Sequence, residues 1–117
     1  MRKMAKREAL LALGLCKKAG KLTVGTPLVC RAIASKNPPA LAIVSAEASD
    51  NTKKRLYDKC KFYSIPIYEL SAGTDEISAA LGGEAHVAVC AIGERGLAQL
   101  FLDKAESGNS ADKESKI

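Results

Sequence analysis

The chain predicts a three-layer α/β/α sandwich built on a four-stranded mixed sheet, and three observations predict it. Short apolar runs alternate with amphipathic segments along the chain. Glycine or proline stands at most of the boundaries between them. The length, 117 residues, fits one domain, since domain sizes peak near roughly 100–150 residues. Strands that alternate with helices argue for a sheet parallel in the main, with helices on both faces.

The elements follow in order. Residues 3–19 carry Leu11 and Leu15 as an apolar stripe, flanked by Met4, Leu10 and Gly14, and stop at Gly20. That pattern is a one-sided amphipathic helix with a glycine stop. Residues 21–24 make a short strand. Thr26 then offers a hydroxyl cap and Pro27 takes the first helical position, where a missing N–H costs nothing. Val29, Ala32 and Ile33 form the buried face of this second helix, which ends near Ser35 because Asn37-Pro38-Pro39 cannot continue it.

Residues 41–45 are an uninterrupted apolar run and read as a buried strand. Ser49 or Asp50 starts a third helix. Its apolar stripe is Leu56, Cys60 and Tyr63, and Lys53, Lys54, Arg55, Lys59 and Lys61 decorate its other faces. In the strand at 65–70, Pro66 argues for a sheet edge or a strand beginning. Gly73 opens a fourth helix with Asp75 and Glu76 in its first turn, where they complement the helix dipole. It packs through Ile77 and Leu81 and stops at Gly82-Gly83. The most apolar strand, 87–92, is expected at the centre. A last helix at 94–104 carries Leu97, Leu100 and Phe101 on one side. The folded domain is therefore 1–104, and the polar stretch 105–117 is expected to be a disordered tail.

Composition excludes several classes. The apolar runs are far shorter than the about 20 residues a membrane span needs. The basic start of the chain lacks a leader's small-residue cleavage site, because Lys17 and Lys18 follow its apolar stretch. A cytoplasmic protein without membrane contact is expected. Cys16, Cys30, Cys60 and Cys90 are widely spaced and embedded in apolar segments, which suits reduced core thiols rather than metal ligands or a disulfide framework. His86 is the only histidine and has no nucleophile or carboxylate partner nearby in sequence, so it reads as structural or surface. No phosphate-binding glycine motif is present; Gly93-Glu94-Arg95-Gly96 lacks the third glycine. The expectation is no catalysis, no cofactor and no metal.

Charge is uneven. Residues 1–36 hold nine Lys or Arg against one acid, Glu8, whereas residues 71–117 hold four against eight. The asymmetry suggests a polyanion-facing side at the N-terminal half, with solvated helix faces as the alternative reading.

The segments LGLCKKAGKLTVGTPLVCRAI, AIVSAEASDNTKKRLYDKCKFYSIP and LGGEAHVAV carry a resemblance. They resemble the bacterial YlxQ-type proteins of the ribosomal protein L-seven-Ae superfamily, which includes the kink-turn RNA binders. The likeness runs over roughly residues 9–102, and ASDNTKKRLYDKCKFY is its most specific piece. It implies the same sandwich and RNA binding without enzymatic activity. It also implies structured RNA as the partner, ribosomal RNA included, with a role in translation or ribosome assembly. Ribosome-associated proteins would be neighbours, and the chain would be a monomer.

In kink-turn binders the second helix opens with G-x-N-E-x-x-K, whose Asn and Glu read base edges. Here the aligned residues are Gly25, Thr26, Pro27, Leu28, Val29, Cys30 and Arg31. The glycine and a terminal cation remain, but neither Pro27 nor Leu28 has a side chain able to hydrogen-bond a base. Direct readout is removed and a phosphate-binding surface is left. Amide groups at this helix start, beginning with Leu28 and Val29, favour an anion. Lys21 and Arg31 are expected to flank the same phosphate, with Lys17, Lys18 and Lys36 enlarging the field. The resemblance adds the loop before the fourth helix, where Ser71, Ala72 and Gly73 would let RNA approach closely. Asn51, Lys53 and Lys54 would join from the same end of the sheet. The rival reading is a protein-interaction scaffold of the same fold, with Leu28 as its contact.

Overall fold

The computed structural model describes residues 2–83 and 86–106, with side chains from residue 6 onward. It has five helices and four strands: α1 (Arg2–Lys18), β1 (Leu22–Val24), α2 (Thr26–Ile33), β2 (Leu41–Ser45), α3 (Asp50–Tyr63), β3 (Ile67–Leu70), α4 (Thr74–Ala80), β4 (Val89–Ile92) and α5 (Arg95–Ala105). The strands lie in the order β1-β4-β2-β3.

Both sheet faces are buried, and residue alternation divides them. Leu41, Ile43, Cys90 and Ile92 point to one side, packing with Leu13, Ile77 and Phe101 of α1, α4 and α5. Ala42, Val44, Val89 and Ala91 point to the other, packing with Val29, Ile33, Leu56 and Cys60 of α2 and α3. The period of two along each strand thus builds two cores back to back, which makes the expected three layers. Pro66 immediately precedes β3, an edge strand, and β4 is internal, as its apolar sequence requires.

The sheet is less parallel than the alternation suggested. Only β2 and β3 pair parallel, while β4 runs antiparallel to both β1 and β2. The reason lies in α4. Seven residues of helix rise only about 10 Å, and the chain then turns at positive-φ Gly82 and Gly83 and returns to the end of the sheet it left. It enters β4 from there, with Ser45 N–H donating to the Ala88 carbonyl at 2.8 Å.

Two buried-face assignments also change. Leu11 and Leu15 are 64% and 54% exposed, and α1 instead buries Ala9, Ala12, Leu13 and Cys16. Leu10, Leu11, Leu13 and Leu15 give this helix two apolar faces, and periodicity cannot tell which one meets the core. Small residues won because α1 is wedged against α4 and α5. At Gly14 an added Cβ would sit 3.2 Å from the Ala80 carbonyl. On α3, Leu56 and Cys60 are buried as expected but Tyr63 is exposed.

All four cysteines are free and buried. Burial raises the Cys60 thiol to about 11 and the Cys90 thiol to about 12, so neither is a nucleophile near neutral pH. The expected tail lies outside the described residues except for Ala105, which ends α5, and Glu106, which follows it.

Candidate nucleic-acid interface

The topology brings three helix starts to one end of the sheet. β1, β2 and β3 all finish there, so α2, α3 and α4 all begin there. Buried Ser45 ties the end together. Its hydroxyl donates to the Ala72 carbonyl at 2.6 Å and accepts from Glu47 N–H at 3.0 Å. Ala46 N–H donates to the Leu70 carbonyl at 2.8 Å.

The three starts differ chemically. At α3, Ser49 accepts from Thr52 N–H, and Asp50 adds an acid to the first turn. At α4, Glu76 reaches back to accept from Gly73 N–H at 2.9 Å, beside Asp75. That hydrogen bond, helped by Lys6 at 2.9 Å, holds the Glu76 carboxyl below the usual range. Helix α2 has neither device. Thr26 was expected to cap it, but the helix begins at Thr26 and its cap position is Gly25, so no side chain caps it and its first turn holds no acid. Gly25 has φ 101° and ψ 139°, a conformation essentially reserved for glycine.

The number of open amides is smaller than expected. Val29 N–H donates to the Gly25 carbonyl at 2.9 Å, the first bond of the helix, and Pro27 has no N–H. Thr26 and Leu28 remain, and among the described residues neither amide has an acceptor. Two donors and an uncapped dipole are chemistry that suits an anion.

The expected site residues do not form one patch. Gly25, Thr26 and exposed Leu28 share the upper end with Asn51, Lys53, Lys54 and Ser71. Lys53 is engaged with Glu69 at 3.6 Å, leaving Asn51 and Lys54 as the more exposed pair. Ala72 and Gly73 are buried; a Cβ on Gly73 would lie 2.6 Å from the Glu47 carboxylate, so the close approach there is made by Glu47. Lys18, Lys21 and Lys36 lie toward the opposite end. Lys21 precedes β1, where its carbonyl accepts from Gly93 N–H. Arg31, in the last turn of α2, shares an open groove of about 720 Å³ with Lys17, Leu28 and the outer edge of β1. The Lys17 ammonium donates to the Leu81 carbonyl at 2.6 Å along one wall.

Sequence reasoning missed that the α4–β4 connection also returns to this end, placing exposed His86 near it at φ 43°. The short α4 before Gly82-Gly83 was the available signal.

No family model matches the chain. The RNA-binding protein YlxQ of Enterococcus faecium is 35% identical over 65 residues, 56% of this chain and 62% of that protein. The chain thus spans under two thirds of that relative. The RNA-binding protein YlxQ of Bacillus subtilis (strain 168) is 33% identical over 90 residues, 77% of this chain and 87% of that protein. The chain belongs to the YlxQ family. A solved protein of unknown function from Bacillus halodurans C superposes with a TM-score of 0.77 at 27% identity, covering 85% of this chain and 97% of that one. The Giardia lamblia 15.5kD RNA binding protein superposes at 0.70 with 15% identity, covering 91% and 88% respectively. At that identity the likeness is one of fold, an α/β sandwich that the YlxQ-type chain shares with it.

Proposed function

We propose that this YlxQ-type chain binds structured RNA through the start of α2, reading backbone and shape, in translation or ribosome assembly. One observation carries the reading. Of three helix starts at one end of the sheet, α2 alone has neither an acid in its first turn nor a side chain bonded back to its opening turn. The names of its relatives supply the ligand class. Arg31 and Lys17 extend the seat into the groove beside β1, where a phosphate backbone would continue. With Pro27 and Leu28 where base readers would stand, discrimination rests on RNA shape rather than on base edges. This reading involves no catalysis and no cofactor.

Affinity for a structured RNA, measured against salt, tests it. Arg31→Gln is expected to weaken binding and to reduce the salt slope by about one phosphate's worth, roughly 0.7–0.9 in log–log terms. Lys21→Gln, at the far end of β1, should do less. Unchanged affinity and slope for Arg31→Gln would remove this surface. Exposed Leu28, at 52%, favours a second reading as a protein contact. Nuclease treatment separates the two, because a protein partner survives it.

A further inference from the structure

We propose a second RNA contact on the outer face of α3, a stacking platform for an unpaired base flanking the structured RNA; it rests on the RNA-binding reading above. The chain has only five aromatic rings, and three of them (Tyr57, Phe62 and Tyr63) are exposed on α3. Tyr57 is turned to its neighbours, donating to Glu69 at 3.0 Å. Phe62 and Tyr63 are not engaged in the core. Phe62 is 79% exposed and meets Tyr63 edge to face, with centroids 4.9 Å apart. An exposed ring pair on a helix otherwise rich in cations calls for a ligand that is flat, apolar on its faces and anionic at its edges.

The neighbours specify that ligand further. Arg55, Asp58 and Lys59 line a shallow depression with the two rings, and the Lys59 ammonium lies 6.0 Å from the Tyr63 centroid. Arg55 and Lys59 suit phosphates on either side of a base. Asp58 repels a phosphate, which leaves a base as the group that fits over Phe62. An apolar protein side chain would want a larger dry surface than two rings framed by three charges. Nucleobases stack on such rings whatever their identity.

Placement connects this platform with the candidate seat. Asn51, Arg55, Lys59 and Phe62 fall on one helical stripe, at spacings of four, four and three residues. The stripe starts at the upper end, beside Lys54, and runs about 16 Å down the helix at 1.5 Å per residue. A strand leaving the structured RNA at the α2 start has a cationic track to follow toward the rings.

The test uses the full chain and two RNAs, a blunt hairpin and the same hairpin with a single-stranded extension. Phe62→Ala should lose roughly fivefold or more in affinity for the extended hairpin and nothing for the blunt one. Phe62→Trp places the only indole in the chain at this position, and its fluorescence should be quenched by the extended hairpin alone. No quenching, or equal affinity of Phe62→Ala and the parent for the extended hairpin, would overturn the platform while leaving the α2 reading standing. A parent chain that binds neither RNA would overturn both.

Discussion

At the upper end of the sheet, α3 and α4 supply their own anions, and α2 does not. Ser49 and Asp50 close one start, and Asp75 and Glu76 close another. The α2 start carries Gly25, Thr26, Pro27 and Leu28, none of which neutralises its dipole. The same geometry therefore does two jobs. Where a side chain caps the helix, the dipole stabilises the fold; where none does, as proposed above for α2, it is open to a ligand. With glycine at the cap position, α2 forgoes roughly a few tenths of a kcal/mol relative to a Ser, Thr, Asp or Asn cap. That cost makes sense if an anion from outside completes the turn.

The contrast can be broken at specific residues. The largest effect is expected at Gly25. Gly25→Ala forces a Cβ onto φ 101° and should cost roughly 1–3 kcal/mol, read as a lowered urea midpoint. Gly73, at φ −74°, should tolerate alanine better, since the Cβ would press only on the movable end of Glu47. Next comes Leu28→Glu, which gives α2 the acid its neighbours already have. Thermal stability should hold or rise by up to about 1 kcal/mol. RNA affinity should fall about tenfold or more, because a carboxylate would face the phosphate. Opposite signs for folding and binding are the signature of a ligand seat.

Ser49→Ala should show the converse, losing about 1 kcal/mol of stability by chemical denaturation with little change in RNA affinity. The smallest effect concerns Glu76. Folding lowers its pKa, first through the Gly73 amide and then through Lys6, so its stabilisation is fully present above pH about 4.5 and fades as pH falls through the folded value. With a half-exposed ion pair the amount should stay below about 1 kcal/mol. Glu76→Gln should flatten the stability profile in that acidic window and leave neutral pH changed only slightly.

Local signals were legible in the sequence, and long-range ones were not. Ser49, Glu94, Pro66 and the Asn37-Pro38-Pro39 break placed element boundaries within a residue or two, because capping and proline sterics act within a turn. The direction of β4 was hidden, since it depends on how far α4 reaches before Gly82-Gly83 turns the chain back. The buried side of α1 was hidden for a related reason. Leu11 and Leu15 are the larger apolar groups, yet the close approach at Gly14 selects the face with Ala9, Ala12 and Cys16. For the site, Gly25 was legible as a glycine the helix start needs. The distance of Lys21 from the α2 start was not, because it depends on β1 running from one end of the sheet to the other.

Backbone amide chemical shifts during titration with a structured RNA probe the α2 start most directly. The Thr26 and Leu28 amides should show large changes, while Thr52 and Gly73, already bonded to Ser49 and Glu76, should move little. Unmoved Thr26 and Leu28 signals alongside saturable RNA binding would contradict the account, because the RNA would then be held somewhere other than this open helix end.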